Sequence, residues 1–314
     1  MNTAHARELS VAAALIVICA ILSLIAPGFF TLENLSDLLL ANMPVLIAAI
    51  GMTLVILTGH IDISVGSLFA ICGVLAGLFA KMGLPTAVAG LMACLAGALL
   101  GAVNGAFVAY LRIPAIVVTL AAMVAWRDAL RWSTEGAWIQ DLPESFQWFG
   151  LSQSGSAVAT VGAAAALVTA AAWLLHNVAA GRAVYAAGSD ANAARLAGIN
   201  PARVVFFAFV ATGALTGFAA LLNAVRFNQI PSNAGIGLEL KVIAAVVVGG
   251  ASVTGGRGTI LGSVLGVMLL GVIGPALTFL GVSVYWERSI QGAIILAAVA
   301  MDALRGGPVG RQRA

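Results

Sequence analysis

Apolar residues run through this chain in long, nearly unbroken blocks of Leu, Ile, Val, Ala and Gly, separated by short polar stretches. A helix needs roughly 20 such residues to cross about 30 Å of hydrocarbon, where backbone polar groups find no water and must pair internally. Blocks of this kind fall near 9 to 26, 42 to 58, 64 to 80, 85 to 109, 114 to 130, 156 to 176, 202 to 223, 238 to 252, 259 to 282 and 289 to 303. The pattern predicts an all-α integral membrane protein with about ten transmembrane helices, some broken or half-length. No polar stretch is long enough for a second domain, so residues 1 to 314 read as one transmembrane domain.

The first block follows Arg7 and is too long for a signal-peptide core. No small-residue cleavage site follows it, so an uncleaved first span is expected. The block from 42 to 80 is long for one crossing and short for two, which predicts a helix break at Gly59 and Gly66. Backbone groups freed at a break must face water or protein.

Composition agrees: 61% of residues are hydrophobic and 9% charged, against roughly 25% charged in soluble domains. With Lys and Arg favouring the cytoplasmic side, the expected inner set is Arg7, Arg112, Arg182, Arg195, Arg203, Arg257, Arg305, Arg311 and Arg313. Acidic residues dominate the alternate loops, which predicts both termini in the cytoplasm. Trp132, Trp138, Trp148 and Trp286 fall in or beside the expected outer loops, the longest at 131 to 155. Cys19, Cys72 and Cys94 are isolated in apolar runs and read as packing residues without metal spacing.

Small residues four apart let helix backbones approach closely in lipid. Gly97, Gly101 and Gly105 form one such row, and Gly258, Gly262 and Gly266 a second.

Polar residues in this background are few. "TGHIDISVGS", 58 to 67, carries His60, Asp62, Ser64 and Ser67. An ionised Asp at mid-membrane costs roughly 2.5 to 3.5 kcal/mol on insertion scales, so Asp62 needs a partner, a wet cavity or a helix end, with His60 one candidate. Ser64 is a candidate cap for the following helix. Asn104 and Thr119 are further buried polar candidates, for a neighbouring helix or for a solute path.

Enzymatic chemistry finds no support. "GGASVTGGRGT", 249 to 259, lacks the Lys and Ser/Thr of a phosphate loop, so ATP hydrolysis would belong to another polypeptide. No Ser near His60 or His176 has a nucleophile-elbow context. The stretch at about 188 to 200 reads instead as a short helix: Ser189 or Asp190 caps it, Gly198 ends it, and Asn200-Pro201 starts the next. A helix that short is unstable alone and must dock on something.

That stretch, "GSDANAARLAGI", resembles the cytoplasmic coupling motif of the permease subunits of ABC importers that carry ribose, xylose, rhamnose and related sugars. "GHIDISVGS", the 101 to 123 block "GAVNGAFVAYLRIPAIVVTLAAM" and the blocks at 244 to 266 and 281 to 302 resemble the same family, so the likeness spans nearly the whole chain. It implies that Gly188, Asn192, Ala194, Arg195 and Gly198 couple to an ATPase subunit. It also implies a bacterial inner-membrane location, no cofactor in this chain, ATP and Mg on the ATPase, an extracytoplasmic sugar-binding protein, and a second permease, identical or similar. His60 and Glu287 depart from common family residues, Glu287 standing where Gln is frequent. The 131 to 150 loop is most similar to the branch handling rhamnose or autoinducer-2. The competing expectation is a secondary transporter driven by an ion gradient through Asp62 and His60.

Overall fold

The computed structural model describes residues 3–305; Arg311 and Arg313 lie outside the described residues, as do the side chains of Arg7, Asp302 and Arg305. The fold is helical throughout, and the single β-bridge among the described residues pairs Ile139 with Ile230. In chain order the helices are α1 (Thr3–Ile25), α2 (Leu32–Leu57), α3 (Val65–Lys81), α4 (Thr86–Ala109), α5 (Ala115–Thr134) and α6 (Gln153–Asn177). There follow α7 (Ala179–Ser189), α8 (Ala191–Leu196), α9 (Pro201–Ala224), α10 (Leu238–Val248), α11 (Ile260–Phe279) and α12 (Trp286–Arg305). Each of the ten apolar blocks overlaps one of these helices. Six helices, α1, α2, α4, α6, α9 and α11, are long and apolar enough to span a membrane, and α3 is a shorter apolar helix.

The core is built around α2, whose residues from Met43 to Leu57 are almost all buried. Glycines set how closely its neighbours approach. A Cβ on Gly97 or Gly101 of α4 would collide with the backbone of Gly213 or Phe209 in α9, and one on Gly105 would sit 3.0 Å from the Phe206 oxygen. On the α9 side a Cβ on Gly217 would strike Ala93. Backbone proximity of this kind replaces the hydrophobic drive that lipid removes. Gly262 and Gly266 bring α11 against Gly249 and Ala245 at α10 in the same way. Gly258 does not belong to that helical row: it precedes α11 at φ 147°, packed on Ala251.

Polar groups stitch the same helices where they are buried. Thr212 Oγ1 donates to Gly51 O at 2.9 Å, tying α9 to α2, and Thr53 and Ser263 share a 2.7 Å hydrogen bond between α2 and α11. At the periphery α1 packs on α11 through Leu22, and the turn that follows it through Ala26 and Phe29. The outward row Leu91, Leu95, Leu99 and Val103 of α4 is exposed at a spacing of four, the face an apolar helix offers to lipid.

The outer-loop stretch is shorter than 131 to 155 at both ends, since α6 already begins at Gln153. α5 continues to Thr134, so Arg131 and Trp132 are helical, and Glu135 then ends the helix at φ 53°. The block at 238 to 252 is helical only to Val248, because Gly249 and Gly250 end it with a turn (φ 99° at Gly250).

Candidate functional site

The break in the 42 to 80 block is local chemistry. α2 closes with the glycine-type stop in which Gly59 N donates to Ile56 O at 2.9 Å and His60 N to Val55 O at 3.2 Å, with Gly59 at φ 81°. Gly66 takes no part in it; it lies inside α3, where a Cβ would run into Glu239 and Gly235.

After the break, Asp62 is fully buried and turns the chain into α3. Its Oδ1 accepts from the Ser64 N–H at 2.9 Å and from Ser64 Oγ at 2.6 Å, an Asx-type turn. Asn104 Nδ2 of α4 donates to the same Ser64 Oγ at 2.9 Å. Ser64 therefore does not cap α3 with its side chain; the hydroxyl is spent on Asp62, and Ser67 Oγ instead bonds Ser64 O at 2.8 Å. Asp62 Oδ2 and Asn104 Oδ1 are buried without a hydrogen-bond partner among the described residues. Thr119 of α5 bonds Ala115 O within its own helix at 2.9 Å and reaches Ile61 O at 3.4 Å.

His60 stands apart from this network. Its Nδ1 lies 3.2 Å from Thr58 Oγ1 and its ring is edge-on to Phe209, so the suggested His60 partner for Asp62 is replaced by Ser64, which Asn104 holds in turn. His60 lines a cavity of about 480 Å³ with Gly59, Ile61, Arg112, Pro114 and Val253.

The short-helix region is two helices rather than one. Asp190 separates α7 from α8 and caps α8 through Asn192 N at 2.8 Å and Ala193 N at 3.0 Å. Gly198, at φ 80°, ends α8 with its N–H on Arg195 O, and Asn200 Oδ1 accepts from Arg203 N at 3.2 Å to start α9. Asn192, Arg195 and Gly198 are exposed and Leu196 is 92% exposed, whereas Ala194 is buried.

Gly188 does not share that surface. It sits at a three-way junction where a Cβ would collide with Leu57 O at the end of α2 and lie 2.8 Å from Gly256 N. Gly256 N donates to Leu57 O at 2.9 Å, and Tyr185 Oη donates to Gly258 O at 2.9 Å. Burial raises the Tyr185 phenol above its ordinary value. Thus α7, the end of α2 and the 249–259 loop touch backbone to backbone, two residues before Gly59.

At the opposite end of the helices lies a cavity of about 540 Å³, reaching down to Pro44 and Val45 in α2 and Phe69 in α3. Trp138, Lys241, Glu287 and Gln291 line it and were not singled out as a group by sequence. The available signal was a Lys inside the apolar run "LELKVIAAVVV" together with Glu287, two charges that lipid forces to find partners.

Residues 34–299 match the family model described as branched-chain amino acid transport system / permease component. The ribose import permease protein RbsC of Escherichia coli (strain K12) is 37% identical over 293 residues, covering 92% of this chain and 91% of that protein. The autoinducer 2 import system permease protein LsrC of Yersinia pseudotuberculosis serotype O:1b (strain IP 31758) is 36% identical over 296 residues, covering 94% of this chain and 84% of that protein. LsrC of Photorhabdus luminescens is 33% identical over 302 residues, covering 94% and 89%. No solved structure gives a significant match. With 266 residues aligned to one model and relatives matching over more than nine-tenths of its length, this multi-pass membrane chain belongs to the family of ABC importer permease components.

Proposed function

We propose that the chain is the permease subunit of a sugar importer, moving a rhamnose-, ribose- or autoinducer-2-like monosaccharide inward by alternating access. About ten helices enter the membrane, some of them broken or half-length, with both termini in the cytoplasm, as the Lys and Arg distribution favours. A separate ATPase subunit, holding ATP and Mg, docks on α7–α8; an external sugar-binding protein delivers the solute, and a second permease, identical or similar, completes the path.

One observation carries this reading: the backbone junction of Gly188, Leu57 and Gly256. Close-packed backbone cannot absorb displacement by rotating side chains, so a push on α7–α8 reaches the end of α2 and, through the Gly59 turn, the Asp62 break. The buried polar break then lies between a cavity at each end of the bundle.

The test is Arg195→Glu in the full complex, reconstituted in vesicles. The expected result is loss of ATPase-subunit binding and of ATP-driven uptake, with the permease still folded. Unchanged uptake and binding would remove α8 as the docking element. The alternative, an ion-gradient transporter, draws support from the unpartnered Asp62 Oδ2 alone; uptake by this chain without ATPase or ATP, under an ion gradient, would favour it.

A further inference from the structure

We infer that the cavity opposite the glycine junction is a solute-reading site: Lys241 and Glu287 engage neighbouring hydroxyls of a sugar ring whose apolar face rests on Trp138. The inference deepens the importer reading and rests on it for the direction of transport. It also divides two solute classes that the family description and the named relatives leave side by side, a branched-chain amino acid and a monosaccharide.

Size and shape come first. A cavity of about 540 Å³ falls within the range of roughly 300–1,000 Å³ typical of small-molecule sites. Its walls differ in character: Trp138 and Phe227 are half-exposed aromatics, while Asn223, Lys241, Glu287 and Gln291 supply polar groups.

The polar wall is built, not loose. Gln291, 4% exposed, donates its Nε2 to Glu287 Oε1 at 2.9 Å, and Lys241 Nζ approaches the same oxygen at 3.5 Å. Glu287 is pressed against α11 at Gly274, where a Cβ would stand 2.7 Å from Oε2. The carboxylate is thereby held where α10, α11 and α12 meet, with Oε1 occupied. An ammonium beside a carboxylate offers a donor and an acceptor a few ångströms apart. Adjacent sugar hydroxyls present the complementary pair, because each hydroxyl both donates and accepts. An aliphatic amino acid needs a cation for its carboxylate and a free anion for its ammonium; Arg288 also lines the cavity and can supply the cation, but Glu287 is the one acid among the lining residues and already shares its Oε1 with Gln291 and Lys241.

The experiment uses the full-length chain in lipid nanodiscs, with Cys19, Cys72 and Cys94 replaced by Ala and a reporter introduced as Asn228→Cys at the cavity rim. The rate of labelling by a water-soluble maleimide is read with D-ribose, L-rhamnose or L-leucine present. One of the two sugars should slow labelling and leucine should not. Glu287→Ala should weaken that protection by about tenfold in sugar concentration, the scale of one hydrogen bond to a charged group, and Trp138→Ala should weaken it as well by removing the apolar platform. Glu287→Gln, which keeps an acceptor, should retain most of it. Protection by leucine, no protection by either sugar, or protection indifferent to Glu287→Ala would each overturn the site. ATP-driven uptake by the assembled transporter is measured in parallel. Protection without uptake would refute the importer reading and leave the site standing, whereas uptake with no protection would do the reverse.

Discussion

Asn104 of α4 holds Ser64 at the start of α3, its Nδ2 2.9 Å from the Ser64 hydroxyl, across 40 residues of sequence. That hydroxyl donates its own hydrogen bond to Asp62 Oδ1 at 2.6 Å, so the helix break is anchored to a neighbouring helix through a carboxyl acceptor.

Asp62→Ala and Asp62→Asn should therefore differ. Asparagine keeps an oxygen for the Ser64 N–H and hydroxyl, whereas alanine leaves both donors buried and unpaired, at about 1–3 kcal/mol each. Thermal unfolding in detergent should show a distinctly lower midpoint for Asp62→Ala than for Asp62→Asn. Equal midpoints would mean the turn does not depend on this acceptor. Normal transport by Asp62→Asn would further show that the charge itself is dispensable.

Gly188→Ala should cost far more function than Gly198→Ala. Both glycines lie in the α7–α8 segment, but the first would drive a Cβ into Leu57 O while the second has nothing within 4 Å. Gly198→Ala carries only the strain of φ 80°, about 1–2 kcal/mol. ATP-driven uptake measured alongside ATPase-subunit binding separates the cases: Gly188→Ala should lose uptake and Gly198→Ala should retain most of it. The reverse ranking would break the argument that the junction transmits force.

Tyr185→Phe removes the bond to Gly258 O and should destabilise by about 0.5–1.5 kcal/mol. A pH signature accompanies it. Burial raises the folded-state value of this phenol, so the folded protein favours the neutral form. The stabilisation is fully present below the ordinary tyrosine value of about 10 and fades as pH rises through the raised one. Loss of stability above about pH 10 should be steeper in the parent than in Tyr185→Phe. Parallel curves would show that Tyr185 contributes nothing to it.

Gly97→Ala should weaken the α4–α9 contact by about 1–3 kcal/mol, since the colliding atom is the backbone oxygen of Gly213 and cannot rotate away. Gly162 of α6 has nothing within 4 Å of an added Cβ, and Gly162→Ala should be neutral or stabilising by up to about 1 kcal/mol. Unfolding midpoints of the two variants should move in opposite directions or, at the least, differ by that sum.

Sequence by itself determined the features that depend on a few neighbouring residues. Hydropathy located every long apolar block because crossing lipid is a property of the block alone. Asp190, Gly198 and Asn200-Pro201 punctuate the chain where read, since a cap needs only an oxygen within three residues or a glycine free to take positive φ. Tertiary structure decided which distant groups these elements meet. It gave Asp62 the partner Ser64, itself held by Asn104, instead of His60, turned Gly188 inward to Leu57 while Arg195 stayed exposed, and set Lys241 beside Glu287 across 46 residues. A buried charge announces in sequence that it must be partnered. Which partner it takes follows from the close approach of glycine-lined helices, and that is settled only when the whole chain is packed.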